Sequence, residues 1–340
     1  MNKVLYLGID IGGAHIKVVG INAQKKITYV RYATCKIWEG TNDLREEFKK
    51  INQNLSNKSL RCGITMSGEL CDNFKNRKNG TKKLIEECKM LRFEKYFYVN
   101  SPEVFSTKPK FEKLMSQNWH AIGKVLEKKI KDAILIDFGS TTIDFICIKN
   151  FKIQNKFNDD FSRLNNHELM YSGLTRTPVF GITNQIKLGD NKLNIIPEFF
   201  SNTADIYRVL NKLDKKIDLD DTADKSSKKI NNSFQRISRS LGFDYSKELR
   251  GKVELISQKL SSIQLNQINN TISKLRKKFL LANAPIILSG IGQDVLKGFF
   301  EEKNLKTIYF KNFFKVSRLN QEASFHAPAL SIALLLNELK

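Results

Sequence analysis

Two short stretches of the sequence share a design that suits anion binding. Asp10-Ile-Gly-Gly-Ala-His-Ile-Lys17 and Asp137-Phe-Gly-Ser-Thr-Thr-Ile-Asp144 each place an aspartate after an apolar run and then continue into small residues. Small residues let the backbone approach a ligand, and successive N–H groups at such a turn form an anion-binding nest. The backbone predicted to bind phosphate is that of Gly12, Gly13, Gly139, Ser140, Thr141 and Thr142.

Each stretch also has a purely structural explanation, because a tight hairpin needs glycine for its own backbone angles. The hydroxyl residues clustered in the second copy exceed that requirement and favour a phosphate site. Magnesium prefers oxygen ligands and usually keeps several waters. Asp10 and Asp137 are therefore predicted to hold Mg²⁺ beside the phosphates.

The elements that must position these turns recur along the chain. Apolar runs at residues 4–9 and 16–21 predict a hairpin, which a strand at 27–34 extends. Strands at 133–137 and 142–148 repeat that pattern, 127 residues later when counted between the aspartates (137 − 10). One recurrence at this distance indicates a duplicated domain and not a solenoid.

Hydrophobic periodicity places helices and further strands around the two hairpins. Helices are predicted at residues 44–55, 82–90, 111–130, 234–241, 249–261 and 263–282, strands at 60–66 and 285–288, and a last helix opening at Pro328. The polar, charged span 212–232 is predicted to be a mobile connection.

Composition limits the class of protein. The 340 residues, 41% hydrophobic and 27% charged, predict a folded soluble protein of about two domains. The net charge of +22 comes mostly from scattered lysines, and without a nucleic-acid-binding motif we expect no nucleic-acid partner. No run is long enough for a membrane span, and the five cysteines form no Cys-x-x-Cys pair, so a cytoplasmic location with reduced thiols is expected. The sequence does not predict the oligomeric state.

The paired hairpins resemble the superfamily that contains sugar kinases, actin and heat-shock chaperones. That resemblance implies a duplicated two-lobed α/β fold of the actin-like, ribonuclease H-like kind, with a cleft between the lobes. It implies a first lobe at residues 1–130, a second at 131–325, and a C-terminal helix at 326–340 that packs back on the first lobe. The turn Ser289-Gly-Ile-Gly292 is similar to the glycine turn near adenosine in that fold, which makes Gly290 a candidate for cofactor binding.

A narrower resemblance covers nearly the whole chain. The ordered motifs are Gly12-Gly-Ala-His15, Thr65-Met-Ser-Gly-Glu-Leu70, Asn118-Trp-His-Ala121, Asp137-Phe-Gly-Ser-Thr-Thr142, Tyr171-Ser-Gly-Leu-Thr-Arg-Thr-Pro178, Glu198-Phe-Phe with Thr203-Ala-Asp205, and Thr222-Ala-Asp224. Together they resemble the hydantoinase/oxoprolinase-related family linked to tetrahydromethanopterin-dependent one-carbon transfer, which includes archaeal synthases of methanofuran biosynthesis.

This resemblance implies a magnesium-dependent transferase that condenses an aminomethyl-furan-methyl diphosphate with a glutamyl-tyramine phenol and releases diphosphate. Lys17, His15 and Arg176 are then candidates to neutralise developing charge, and Glu69 is the candidate base for the phenol. For each of them a structural role, as a hairpin brace, a solvated residue or an ion-pair partner, remains an alternative. The expected partner is a phosphorylated small molecule, and ATP is compatible with this interpretation but not required.

Asp205 and Asp224 are weaker candidates for substrate binding, with helix capping as the alternative. Two other functions also stay open, because a shared fold does not fix the chemistry. One is an ATP-dependent small-molecule kinase or a hydantoinase-like amidohydrolase. The other is a nucleotide-gated binding protein without enzymatic activity.

Overall fold

The protein contains fourteen strands and ten α-helices within the residues that this computed structural model describes, which are 3–57, 59–101, 103–315 and 319–339. In the first part of the chain they are β1 (Tyr6–Ile11), β2 (His15–Ile21), β3 (Ile27–Thr34), α1 (Asn42–Asn54), β4 (Arg61–Met66), α2 (Arg77–Glu87), β5 (Glu94–Tyr98), β6 (Phe105–Ser106) and α3 (Asn118–Leu126). In the second part they are β7 (Ala133–Phe138), β8 (Ile143–Lys149), β9 (Lys152–Ile153), α4 (Asp160–Asn165), β10 (Leu169–Met170), β11 (Gln185–Leu188), β12 (Asn191–Asn194), α5 (Thr203–Val209), α6 (Ile230–Arg239), α7 (Arg250–Phe279), β13 (Ile286–Ser289), α8 (Gln293–Glu302), β14 (Thr307–Tyr309), α9 (Asn320–Ser324) and α10 (Ala327–Asn337).

The first sheet has the strand order β3-β2-β1-β4-β5-β6. Strand β2 runs antiparallel to β1, whereas β4 lies parallel on the other side of β1, and β5 lies parallel to β4. Both faces of this sheet are covered, which explains why β1 is a nearly continuous apolar run instead of an alternating one.

The second sheet repeats this arrangement. Its order is β10-β8-β7-β13-β14, with β8 antiparallel to β7 and with β13 and β14 parallel to it. The central strand β7 is buried at every residue. Two sheets with the same strand order confirm the prediction of a duplicated, two-lobed α/β fold of the actin-like, ribonuclease H-like kind.

Two apolar helices, α3 and α10, lie between the sheets. The hydrophobic core that contains them also includes residues of β2 from the first sheet and of β7 and β8 from the second. Helix α10 is buried on all sides, as expected of a helix that is apolar all round. It approaches β1 so closely that a Cβ on Gly8 would lie 1.9 Å from the carbonyl oxygen of Ala329.

The remaining helices cover the outer faces. A second core joins β1 and β4 to α1 and α2, and a third joins β7 and β13 to α7 and α8. A separate apolar cluster holds α5 and α6 against the first half of α7 and the β11–β12 hairpin. This cluster belongs to the segment inserted between β10 and β13.

Several predicted elements are wrong in extent. The helix predicted at 111–130 is a short 3-10 turn, Phe111–Lys113, followed by α3, and Ser116 between them has a positive φ of 49°. The helices predicted at 249–261 and 263–282 are the single helix α7. The seven predicted strands lie close to their observed bounds, because their apolar runs are local patterns. Among the residues that the structure describes, seven shorter or more polar strands were not predicted, namely β5, β6, β9, β10, β11, β12 and β14.

The span 212–232 is not the mobile connection that its composition predicted. Asp218 pairs with Arg208 at 2.7 Å, Asp220 with Arg176 at 3.3 Å, and Asp224 with Arg236 at 3.2 Å. Ion pairs of these aspartates therefore hold the segment against the second lobe.

Among the described residues, no helix combines the length and the apolar character that crossing a membrane requires.

Candidate active site between the two lobes

The two hairpin turns have the same geometry. In the first, the N–H of Gly12 donates to the carbonyl of His15 at 3.0 Å, and in the second Gly139 donates to Thr142 at 2.9 Å. Residues 13–14 and 140–141 are thus two equivalent two-residue loops. The register that places Asp10 beside Lys17 also places Asp137 beside Asp144.

The loop N–H groups are available to a ligand. Within the described residues, the backbone N–H groups of Gly13, Ala14, Ser140 and Thr141 have no acceptor in the protein, whereas the carbonyls of Gly13, Ala14 and Ser140 accept backbone hydrogen bonds. For example, the Ser140 carbonyl accepts from the N–H groups of Thr175 and Arg176, at 3.2 and 3.0 Å. Each loop therefore presents two unpaired N–H donors, as an anion-binding nest does.

Both loops line one cavity of about 550 Å³ between the lobes. The first lobe contributes the turn at Gly12, Gly13 and His15 with Lys17, and the second contributes Asp137, Gly139, Ser140, Thr141, Thr142 and Arg176. A hydrogen bond of 3.3 Å between the Ser140 hydroxyl and Nδ1 of His15 joins the two turns. The structure thus brings together most of the residues that the sequence indicated.

Lys17 supplies the positive charge at the centre of this group. Its Nζ lies 3.1 Å from Oδ2 of Asp10, whose side chain is completely buried. Burial alone would lower the pKa of Lys17, but the carboxylates of Asp10, Asp137 and Asp144 outweigh it and raise that pKa. The ammonium group is therefore held in its charged form facing the cavity.

The two aspartates of the second hairpin differ in their partners. Asp137 accepts a hydrogen bond from Ser289 at 2.8 Å, and burial raises its pKa to about 7 despite the nearby Lys17. Asp144 accepts from Arg163 at 2.8 Å, and burial raises its pKa against the effect of that guanidinium. Asp137 is thus the carboxylate at this end of the cavity that has no cationic partner of its own within salt-bridge distance among the described residues.

The predicted metal ligands fit magnesium unequally. Asp137 lines the cavity, and Mg²⁺ commonly binds through one or two carboxylates together with substrate phosphates and waters. Asp10 does not line the cavity, and its Oδ2 already holds Lys17, so it is not placed as a direct ligand. In the described part of the chain, no cluster of three or more His, Cys, Asp or Glu side chains is arranged to hold a metal without help from a substrate.

His15 lies in a stack of three rings at the lobe interface. Tyr32 separates His15 from His326, with 4.7 Å between centroids on each side. Burial lowers the pKa of His15 to about 4, although Asp220, 3.4 Å from Nε2, opposes that shift. The imidazole is neutral near pH 7, so it does not supply the positive charge that the sequence suggested, and its two nitrogens face Ser140 and Asp220.

Arg176 reaches across the cavity towards the first lobe. Its guanidinium carbon lies 4.3 Å from the centroid of the Trp38 ring, and Nη1 lies 3.3 Å from Asp220. Thr175 also donates to Asp220, at 2.7 Å. A guanidinium with one aromatic face and one carboxylate partner keeps further N–H donors for a ligand.

Glu69 is not placed as the base. Its side chain has no exposed surface and accepts from Ser116 at 2.8 Å, with Arg77 at 3.3 Å. Burial raises the pKa of Glu69 against the effect of Arg77. Ser116 lines the cavity and Glu69 does not, so Glu69 can act on a ligand only through this serine.

Three other predicted residues lie away from the cavity. Asp205 is completely buried and accepts from Ser233, Arg208 and Arg236, while Asp224 accepts from Arg236, so both are structural. Gly290 has a φ of 81° and packs on β7, where a Cβ would lie 2.5 Å from the carbonyl oxygen of Phe138. The positive φ of Gly290 allows this close packing on β7, and Gly290 does not line the cavity.

Sequence reasoning missed several residues that line the cavity or support it. They are Tyr32, Trp38, Ser116, Asn118, Asp160, Arg163, Tyr171, Asp220 and His326. Asn118 and Tyr171 lay in motifs that had been noted, so closer attention to those motifs would have found them. The others are single polar or aromatic residues in segments without a recognisable pattern.

Comparison with known protein families identifies the family of this chain. The family model described as hydantoinase/oxoprolinase matches residues 63–321, most of the chain. The chain belongs to the hydantoinase/oxoprolinase family.

Two relatives in this family carry the same name, (4-{4-[2-(γ-L-glutamylamino)ethyl]phenoxymethyl}furan-2-yl)methanamine synthase. The protein of Methanocaldococcus jannaschii is 30% identical to this chain over 99% of the chain and 98% of its own length. The protein of Methanococcus vannielii is 33% identical over 62% of this chain and 93% of its own length. Both relatives are thus named as enzymes.

Solved structures of similar fold have low sequence identity to this chain. The ethanolamine utilization protein EutJ from Carboxydothermus hydrogenoformans is 12% identical, with a TM-score of 0.48 over 97% of this chain and 89% of that one. A ROK family glucokinase from Streptomyces griseus, in complex with glucose and AMPPNP, is 11% identical, with a TM-score of 0.47 over 97% of this chain and 98% of that one.

Proposed function

We propose that this family member is a magnesium-dependent transferase of methanofuran-type cofactor biosynthesis, in tetrahydromethanopterin-linked one-carbon metabolism. It joins an aminomethyl-furan-methyl diphosphate to the phenol of glutamyl-tyramine and releases diphosphate. The name of both relatives contains a phenoxymethyl group on a furan, which is the aryl ether that this reaction forms. The relative from Methanocaldococcus jannaschii supports the proposal over almost the full length of both chains.

The structural observation that carries the proposal is the pair of opposed loops. Each offers two free N–H groups, at residues 13–14 and 140–141, to the same cavity. A diphosphate has two anionic groups, so each nest has one phosphate to bind. Lys17 lines the same cavity and contributes positive charge that stabilises a leaving anion.

The reaction breaks the bond between the furan-methyl carbon and the diphosphate oxygen, and the electron pair leaves with diphosphate. The carbon becomes cation-like and accepts an electron pair from the phenol oxygen, which loses its proton. Donors fixed in advance towards the developing anion lower the barrier without reorganisation. In this site those donors are the loop N–H groups, Lys17 and Arg176.

Magnesium, held through Asp137 and the substrate phosphates, would neutralise charge on the departing diphosphate. The protein's own residues bind and orient the substrates. The hairpins orient the diphosphate, while Trp38, Leu70 and Tyr171 give the cavity apolar surface. Apolar walls limit the access of water, which would otherwise capture a cation-like carbon.

Phosphorus NMR with parallel mass spectrometry tests the proposal. The purified protein is mixed with magnesium and either ATP or the furan-methyl diphosphate plus glutamyl-tyramine. We expect free diphosphate and the aryl ether in the second mixture, with no change in the first. Formation of ADP with a phosphorylated acceptor would replace the transferase with a kinase, and silence in both mixtures would reject both enzymatic functions for these substrates.

A further inference from the structure

The part of the cavity formed by α4 and Tyr171 is suited to a phenol. Asp160, the first residue of α4, lines the cavity together with Tyr171. The hydroxyl of Tyr171 donates to Oδ2 of Asp160 at 2.8 Å. This is a hydrogen bond from a phenol to a carboxylate, the same contact that an acceptor phenol makes with a base.

The Asp160 carboxylate can accept a hydrogen bond from a second phenol in addition to Tyr171. A carboxylate has two oxygens with about four acceptor positions. Oδ2 receives Tyr171, while Oδ1 lies 3.5 Å from Nη2 of Arg77, which belongs to the first lobe. The side chain retains 18% of its surface exposed, in contrast to Glu69 with none. Of these two acidic side chains, only Asp160 can contact a molecule in the cavity.

Besides these polar contacts, the same cavity and helix α4 offer accessible apolar surface. Leu70 and Tyr171 line the cavity and are each 47% exposed. On α4, Phe161 and Leu164 are also exposed and, three residues apart, lie on one side of the helix. An aromatic acceptor that enters here would place its ring against apolar surface and its hydroxyl near the carboxylate.

We propose that Asp160 is the general base that removes the proton of the acceptor phenol, and that Tyr171 and Leu70 form the binding surface for its ring. This inference rests on the proposed transferase function. As the phenol oxygen forms its bond to the furan-methyl carbon and diphosphate departs, the phenol proton moves to an oxygen of Asp160. Water then takes that proton and restores the carboxylate. Tyr171 is a positioning residue, since its own hydroxyl fixes the orientation of the carboxylate.

Acceptors of different acidity distinguish this role from a structural one. A base contributes less when the phenol is more acidic, and general bases typically contribute about 10²–10⁴-fold. We expect Asp160→Asn to lower kcat about 100-fold with glutamyl-tyramine, but less than about 10-fold with a ring-fluorinated glutamyl-tyramine. Asp159→Asn is the matched control, because it removes one charge from the adjacent exposed residue, where asparagine is also a good helix cap. It should leave kcat unchanged with both acceptors.

Two results would overturn the inference. One is an equal loss for Asp160→Asn with both acceptors, which would make the residue structural. The other is an acceptor-dependent loss in Glu69→Gln that is absent in Asp160→Asn. If the wild-type protein forms no ether with either acceptor, the proposed function itself fails and this inference with it, so the two failures are distinguishable.

Discussion

At the scale of single residues, the electrostatics of the cavity depend on Lys17 and its buried partner. Asp10 is inaccessible and has one oxygen on Lys17, while its Oδ1 has no partner among the described residues. Breaking a buried ion pair leaves an uncompensated charge, which costs about 3–5 kcal/mol. Asp10 therefore acts by fixing Lys17.

This pairing gives a prediction for a double-mutant cycle. Lys17→Met should destabilise the protein by about 3 kcal/mol, and adding Asp10→Asn should recover part of that loss. Lys17→Met should also lower kcat/KM for the diphosphate substrate about 100-fold, as loss of a donor to a developing anion does. Urea unfolding and steady-state kinetics measure the two effects. Equal free energies of unfolding for Lys17→Met and for Lys17→Met with Asp10→Asn would show that this ion pair does not contribute to stability.

Asp137 gives a prediction for the dependence of stability on pH. Its pKa is raised from 3.8 to about 7 by burial, so the folded state binds this proton more tightly than the unfolded state. The resulting stability is present below about pH 4 and is lost as pH rises towards 7. Asp137→Asn cannot ionise, so its free energy of unfolding should exceed that of the wild type increasingly across that window, by about 4 kcal/mol at pH 7.

Free energies of unfolding at intervals between pH 4 and 8 measure this gain. Asp190→Asn, at an exposed position, controls for the loss of one carboxylate and should track the wild type. A constant difference between Asp137→Asn and the wild type across this range would contradict the assignment. At pH 7 we also expect Asp137→Asn to remain folded while losing magnesium-dependent turnover.

At the scale of elements, the turn between β13 and α8 is shaped by packing against β7. The N–H of Gly290 donates to the carbonyl of Ser324 at 3.0 Å, and Gly292 donates to the carbonyl of Phe138 at 2.9 Å. These bonds tie three separate segments together beneath Asp137. The turn thus supports the second hairpin without contacting the cavity.

Matched glycine substitutions test this structural role. Gly189 and Gly290 both have positive φ, 60° and 81°, but only Gly290 has backbone atoms where a Cβ would lie. Gly189→Ala should cost about 1 kcal/mol, the usual penalty for alanine in this conformation. Gly290→Ala should cost about 4 kcal/mol, since overlap with a backbone oxygen adds to that penalty. Calorimetry measures both, and equal costs would mean that the turn can move away from β7.

At the scale of the whole molecule, Asp220 connects the lobes. It contacts His15 of the first lobe and accepts from Thr175 of the second. The neighbouring pair Asp221–Lys36, at 2.7 Å, also crosses the interface but is solvent-exposed. Exposed ion pairs contribute about 0–1 kcal/mol, whereas the contact between Asp220 and His15 is buried and shielded from solvent.

Hydrogen exchange can separate these two contacts. Asp220→Ala should increase amide exchange in both hairpin turns and around Thr175, because the lobes open more often. Asp221→Ala should change exchange in those segments by less than about 2-fold. Identical protection in the Asp220→Ala variant and the wild type would exclude a role for this carboxylate in holding the cleft together.

The sequence by itself determined the repeated strand–turn–strand units and hence the fold. Apolar runs, a two-residue loop and a preceding aspartate are local features, and they need no information about distant segments. For the same reason, the residues of both turns were found before the structure was known. A last helix was likewise expected from Pro328, and α10 lies there.

Only the tertiary structure decided which charged side chains meet the cavity. Glu69 follows a buried strand as the sequence suggested, but Ser116 and Arg77 enclose it. Asp220 lies in a segment whose composition predicted mobility, yet it reaches the interface between the lobes. A side chain's burial and partners depend on how remote segments pack around it, and a local pattern does not contain that information.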